Sequence, residues 1–123
     1  MIDTFADLVS VVLAHLTPAE RTSGVAYAAE THAPFAGGTR LEFPGAVMEV
    51  PAEAYLAFID RDPTANWGHP ARYLLVGRVG GQTWSVETRL PPFQPNAAFH
   101  WLAIYQAPSV PDAAVAVSGR FGV

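Results

Sequence analysis

Residues 72–89 read RYLLVGRVGGQTWSVETR, two runs rich in apolar and β-branched residues that are joined by Gly80 and Gly81. Two-residue loops of this kind are typical of tight β-hairpins, because glycine tolerates the positive φ angles that both loop positions require. A tight turn at this point places Val79 opposite Gln82. The stretch therefore predicts an antiparallel hairpin and favours a fold built mainly from β-strands.

The same register predicts a row of charged side chains across the hairpin. It places Arg72 opposite Arg89, and two arginines that face each other across a ladder repel unless a negative group lies beside them. Asp60 ends the preceding run, AYLAFID, and supplies that group if this run pairs antiparallel with residues 72–79. We therefore expect Asp60, Arg72 and Arg89 on one face of the sheet. A slip of one residue would move Asp60 to the other face.

The rest of the chain from Thr39 onward continues this two-residue period. Seven short runs, separated by proline and glycine, are rich in β-branched and aromatic residues: TRLEF, AVMEV, AYLAFID, RYLLVGRV, QTWSVETRL, FHWLAIYQ and AAVAVSG. They predict a β-sandwich or curled antiparallel sheet of about seven strands over residues 39–118, with one or two N-terminal helices packed on it. We expect the whole chain, residues 1–123, to form a single domain.

The N-terminal segment, residues 4–24, carries two helix-start signals. Each consists of an N-cap threonine followed three positions later by an acidic residue, as in Thr4 with Asp7 and Thr17 with Glu20. The first signal opens an apolar stripe at helical spacing, and the second predicts a short helix that runs toward Gly24. Residues 25–38 show no clear period, and we assign them to a helix end and a loop.

The composition excludes several classes of function. The chain has no Cys, which excludes disulfides and thiolate metal sites, and no Lys, which excludes Schiff-base chemistry. Its net charge of −4 and its dispersed arginines argue against nucleic-acid binding. Asp3 and Asp7 lie where a signal peptide carries positive charge, and no apolar run reaches the length of a membrane span. We expect a cytoplasmic protein that binds neither nucleic acid nor membrane and uses no cofactor.

The loop DRDPTANWGHPAR, residues 60–72, is the candidate functional site. An imidazole beside a carboxylate can be tuned for proton transfer, and paired guanidinium groups can hold an anion. We assign catalytic roles to Asp60, Asp62 and His69, and ligand-binding roles to Arg72, Arg89, Trp67 and Asn66. The structural alternative is a loop that only turns the chain, with Asp60 paired to Arg72.

We predict no metal site in this loop. Its polar residues alternate as calcium ligands do, but Ala65 stands where a calcium loop requires Gly and Ala71 stands where it requires Glu. The four histidines of the chain show no pair at close ligand spacing.

Two functions are compatible with these features. The first is a non-catalytic module that binds a protein partner or a second copy of itself, because charged residues make up only 15% of the chain, against about 25% in an average domain. Its interface is predicted on the first helix, at Leu8, Val9, Val12 and Leu16, although these residues could equally form the lid of the core. The alternative is a small acid/base or metal-assisted enzyme, or an anion-binding protein, that uses the 60–72 loop and Arg89. The sequence leaves enzymatic activity open.

Overall fold

The structure is a computed structural model that describes residues 1–65, 68–93 and 99–122. The helices in this part of the chain are α1 (Phe5–His15) and α2 (Pro18–Ser23), and a 3-10 turn spans Asp112–Ala114. The strands are β1 (Val25–Glu30), β2 (Arg40–Phe43), β3 (Ala46–Glu49), β4 (Ala54–Asp60), β5 (Ala71–Gly77), β6 (Thr83–Thr88) and β7 (His100–Gln106). The predicted fold class, mainly β with N-terminal helices and about seven strands, is confirmed.

Five of these strands form one antiparallel sheet in the order β6-β5-β4-β1-β7, and β2 and β3 form a separate two-stranded sheet. The helices cover one face of the large sheet, where Ala26, Ala28 and Ala57 contribute small side chains to the core beneath them. The two-stranded sheet and residues 107–117 pack on the opposite face. The large sheet therefore has a hydrophobic core on both sides.

The helix α1 begins where the sequence predicts. The Thr4 hydroxyl accepts the backbone N–H of Asp7, and the Asp7 carboxylate accepts the backbone N–H of Thr4, each at 3.1 Å. This reciprocal cap satisfies two amide groups that a helix start leaves unpaired. No helix in the described residues combines the length and the apolarity that crossing a membrane requires.

The residues predicted as an interface, three on α1 and one at its C-cap, lie inside the protein. They are all buried against the chain itself: Leu8, Val9, Val12 and Leu16. Leu8, Val12 and Leu16 belong to the apolar cluster that also contains residues of β4 and β5, as expected if this helix covers the core.

The strand β1 corrects the prediction for residues 25–38. Val25–Glu30 is a strand between β4 and β7, whereas the sequence predicts a helix end and a loop. Its first five residues are buried, so the run VAYAAE is apolar on both faces and lacks the alternation of a half-exposed strand. Its alanines also have low β-propensity, which removes the second signal by which a strand is recognised.

The predicted strand AAVAVSG, residues 113–119, is also corrected. In the described structure this stretch starts in the 3-10 turn and then meets the sheet through an isolated bridge between Ala103 and Arg120. Val115 and Val117 pack partly buried against the core. The apolar alternation therefore reflects an irregular segment that covers the sheet.

The 72–89 hairpin forms, but its register differs by two residues from the prediction. Arg72 lies opposite Glu87 and does not face Arg89. The last backbone hydrogen bond of the hairpin joins the N–H of Gly77 to the carbonyl of Gln82, at 2.7 Å. The connection is consequently longer than the predicted two-residue loop.

Contacts from other segments explain the longer connection. The backbone N–H of Arg78 donates to the carbonyl of Glu53, and the carbonyl of Arg78 accepts the N–H of Ile2, each at 2.9 Å. Both backbone groups of Arg78 are thus engaged away from β6. Gly80 and Gly81 still make the turn with positive φ angles of 84° and 69°.

The pairing of β4 with β5 is displaced by one residue from the expected register. Asp60 lies opposite Ala71, and Arg72 lies opposite Ile59. Because neighbouring residues of a strand point to opposite faces, Asp60 and Arg72 lie on different sides of the sheet. The predicted row of Asp60, Arg72 and Arg89 is therefore wrong.

Candidate functional site

Asp60 and His69 form a hydrogen-bonded pair at the end of β4, which we call the Asp60–His69 pair. The imidazole Nε2 lies 2.8 Å from the carboxylate Oδ1, and the two side chains are only 10% (Asp60) and 14% (His69) exposed. The backbone N–H of Asp62 donates to the same oxygen at 3.0 Å. The backbone N–H of His69 donates to the carbonyl of Arg89 at 3.0 Å, which attaches the loop to the end of β6.

Burial raises the pKa of the Asp60 carboxyl above its ordinary value of 3.8, because apolar surroundings disfavour the charged form. The negative charge of Asp62 raises this pKa further. The hydrogen bond from Asp62 lowers this pKa, as do the electrostatic interaction and the hydrogen bond with His69, but they do not cancel the effect of burial. Asp60 is thus a carboxyl group that ionises less readily than an exposed aspartate.

The pair borders a pocket of about 290 Å³, which we call the loop-end pocket. This volume is near the lower limit of small-molecule sites. Apart from the pair, the described side chains that line it are apolar, and they include Pro63, Leu90, Phe93 and Ala116. The arrangement combines an apolar wall with one buried polar pair, which is typical of a binding site for a small molecule.

A larger depression, of about 680 Å³, lies along β7 and is bordered by Glu30, His100 and Ser118. These three residues are exposed, and their side chains remain largely hydrated. The loop-end pocket is the better candidate because its titratable groups are buried, and burial is what alters their chemistry.

Arg72, predicted to hold an anion, is instead paired with Glu20 on the helix face. Its Nε and Nη2 donate to the two oxygens of the Glu20 carboxylate, each at 2.9 Å. Nη2 also donates to the carbonyl of His15 at 2.9 Å, and Nη1 donates to the Ser85 hydroxyl at 2.6 Å. All three nitrogens of this guanidinium are therefore engaged within the chain.

Glu20 connects Arg72 to a second arginine. Nε of Arg61 donates to the Glu20 carboxylate at 2.9 Å, and its Nη1 and Nη2 donate to Glu87 at 2.6 and 3.1 Å. We call these four residues the Glu20 network. It joins α2 to β5, β6 and the start of the 61–70 loop.

The pKa of Glu20 reflects two opposing effects. Burial would raise this pKa, but hydrogen bonds from Arg72, the Thr17 backbone and Arg61 lower it below the ordinary value of 4.5. A fully shielded carboxylate held in this way stabilises the fold, and its removal leaves arginine charge without a partner.

The remaining predicted site residues lie apart from the pair or outside the described residues. The Asp62 side chain is exposed and accepts the Thr64 hydroxyl at 3.4 Å, so only its backbone N–H contacts Asp60. Arg89 is exposed, and its Nη2 donates to the carbonyl of Gly68 at 3.1 Å. Asn66 and Trp67 lie outside the residues that the structure describes.

Sequence reasoning missed the role of Glu20 and the apolar lining of the pocket. Glu20 was recognised only as a capping residue, which it is, since it accepts the backbone N–H of Thr17 at 2.8 Å. Leu90, Phe93 and Ala116 are brought to the pocket by tertiary folding, and no local pattern marks them. Among the described residues, no three His, Asp or Glu side chains converge in an arrangement that could hold a metal ion.

Comparisons with protein-family models, with curated proteins and with solved structures find no match to this chain.

Proposed function

We propose that the chain binds a small, mostly apolar molecule in the loop-end pocket, with the Asp60–His69 pair as the polar anchor. The observation that carries this proposal is the 2.8 Å hydrogen bond between two largely buried titratable groups beside a pocket with apolar walls. Small-molecule sites generally combine an apolar lining with a few convergent polar groups. The proposal retains Asp60 and His69 from the sequence-based site and leaves out Arg72.

The same pair supports acid/base chemistry as a second form of this proposal. The raised pKa of Asp60 brings its titration closer to neutral pH, where a general acid or base is most effective. His69 orients the carboxylate from one side. The reaction class supported is proton transfer to or from a bound molecule, and this form predicts turnover that is lost in Asp60→Asn.

Ligand binding can be tested by filling the pocket. The side chain of Ala116 lines the pocket and is exposed, so Ala116→Phe occupies the cavity without disturbing the core. We expect that small aromatic alcohols and amines perturb the backbone NMR signals of Gly68, His69 and Leu90 in the unmodified chain. In Ala116→Phe their affinity should fall by about tenfold or more, since tenfold corresponds to only about 1.4 kcal/mol.

Ala113→Phe is the matched control. Ala113 is exposed on the same segment but does not line the pocket, and this variant should bind the compounds as the unmodified chain does. Equal binding by all three proteins, or the absence of signal changes around the pocket, would contradict the proposal.

Partner binding is a second proposed function. It is supported by large apolar side chains that remain exposed in the described structure: Met1, Val47, Val79, Leu90 and Phe121. Single exposed apolar residues are common, and a contiguous patch is needed for a stable interface. Sedimentation velocity at micromolar concentration should show a dimer or larger species, and a monomer at every concentration would count against this function.

A further inference from the structure

The polar groups of the loop-end pocket offer a ligand negative charge and hydrogen-bond acceptors. Oδ1 of Asp60 already accepts the N–H of Asp62 and contacts the His69 ring. Oδ2 accepts no hydrogen bond from the described residues. Asp60 lines the pocket, and about 10% of its side chain is exposed. A bound molecule can therefore reach a carboxylate oxygen that still has its acceptor capacity.

The arginines near this end of the sheet do not supply a positive charge to the pocket. Arg72 lies on the other face, where its guanidinium is engaged by Glu20, the His15 carbonyl and Ser85. Arg61 is engaged by Glu20 and Glu87. Arg89 is exposed, donates to the carbonyl of Gly68 and does not line the pocket.

A buried carboxylate without an arginine is costly in the empty site. Removing a charge from water is unfavourable unless an opposite charge or several hydrogen bonds replace the lost hydration. The titratable groups that face Asp60 are His69 and Asp62, with Tyr27 also near enough to interact electrostatically, and none of them is a permanent cation. A ligand that carries a positive charge would supply what the site lacks.

Building on the proposed pocket function, we infer that the ligand is an apolar molecule with a cationic hydrogen-bond donor, such as a primary ammonium group, which binds Oδ2 of Asp60. Its hydrocarbon part lies against Pro63, Leu90, Phe93 and Ala116. This reverses the charge expected from the sequence, in which Arg72 and Arg89 were to hold an anion. Hydrogen bonds between charged groups are stronger than neutral ones, so the head group should dominate selectivity.

The test uses three probes that share one ring and differ in head group: 2-phenylethylamine, 2-phenylethanol and phenylacetate. Dissociation constants are measured from the backbone NMR signals of Gly68, His69 and Leu90. We expect the amine to bind about tenfold more tightly than the alcohol, and phenylacetate to bind more weakly than either. In Asp60→Asn, which keeps the shape and the Oδ1 acceptor but replaces the charged Oδ2 with an NH2 group, the amine should lose its advantage over the alcohol.

Asp112→Asn is the matched control for general electrostatic attraction. Asp112 is an exposed carboxylate two residues from Ala114, which lines the pocket. Its replacement should change the affinity for the amine by less than about twofold, because exposed charges are screened by water and salt. A loss as large as that of Asp60→Asn would show that the amine responds to net charge and would overturn the inference.

A pH titration of the unmodified chain gives a readout that depends on no variant. Protonation of Asp60 removes the anionic partner of the ammonium group, so the affinity for the amine should increase as the pH is raised from 4 to 7. Phenylacetate that binds as tightly as the amine, or an amine affinity that does not change with pH, overturns the inference and leaves the pocket function standing. If none of the three probes perturbs the pocket signals, the pocket function itself fails.

Discussion

Glu20 and Asp60 are both buried carboxylates, and they lie at the same end of the large sheet but on opposite faces. Glu20 is completely shielded and accepts hydrogen bonds from Arg61, Arg72 and the backbone of Thr17. Asp60 is 7% exposed and is contacted by one imidazole and one backbone amide. The environment lowers the pKa of Glu20 and raises that of Asp60.

This difference shows that burial alone does not determine whether a carboxylate stabilises the fold or is available to bind a ligand. Compensated by two guanidinium groups, Glu20 joins a helix to the sheet. Without such compensation, Asp60 remains a group whose charge is unfavourable in the folded chain and is available to a ligand. The two environments are close together in the sheet. Asp60 pairs with Ala71, and the next residue of that strand, Arg72, points to the opposite face and contacts Glu20.

The largest expected effect is the loss of Glu20. Glu20→Ala leaves Arg72 buried without its carboxylate, and removing one partner of a buried ion pair typically costs about 3–5 kcal/mol. We expect a loss of this size in the free energy of unfolding, measured by urea denaturation at pH 7. A loss below about 1 kcal/mol would show that the Glu20 network does not hold the fold together.

The matched control for that variant is Glu42→Ala. Glu42 pairs with Arg40, but both side chains are largely exposed, and exposed pairs contribute about 0–1 kcal/mol. The comparison of Glu20→Ala with Glu42→Ala separates the burial of the charge from the presence of an ion pair.

A smaller effect of opposite sign is expected for Asp60→Asn. The amide keeps an acceptor for Asp62 and His69 but removes a charge that the folded state disfavours. We expect the free energy of unfolding at pH 7 to increase by about 1 kcal/mol or less, since conservative changes at such sites are of this order. Destabilisation comparable with that of Glu20→Ala would instead identify the Asp60–His69 pair as a structural ion pair.

The smallest effect is the change of this stability difference with pH. The folded pKa of Asp60 lies above its ordinary value of 3.8, so ionisation destabilises the fold at neutral pH, and this penalty disappears as the pH falls through the folded pKa. The advantage of Asp60→Asn should therefore shrink toward zero between pH 7 and pH 3.5. Glu20 has a lowered pKa, so its contribution is present above 4.5 and is lost on acidification, equally in both proteins. A constant difference across this range would contradict the assignment.

Local signals in the sequence were enough to predict the helix starts and most strands. The capping boxes at Thr4 and Thr17 are contained within a few residues, and both form as predicted. β1 was not predicted because it is covered on both faces, is rich in alanine and contains only one β-branched residue, Val25.

The candidate site was only partly predictable, because strand register depends on distant contacts. The pairing of Asp60 with His69 joins residues nine apart, and the sequence suggested it. The face on which Arg72 lies depends on Glu20, 52 residues away, and the hairpin loop depends on the contact between Ile2 and Arg78. A register shift of one residue does not change which residues form the strand. It does move Arg72 from the face of Asp60 to the face of Glu20.

The attachments of Arg61 have a consequence for how the pocket receives a molecule. Arg61 directly follows Asp60, and its side chain is held by Glu20 and Glu87 while its backbone bonds to Pro70 and Ser23. The backbone next to Asp60, which lines the pocket, is thus held by contacts on the far side of the sheet. A ligand that binds Asp60 loses its own freedom of motion, but it does not have to order this segment of the chain. The smaller entropy cost favours binding even of a small ligand.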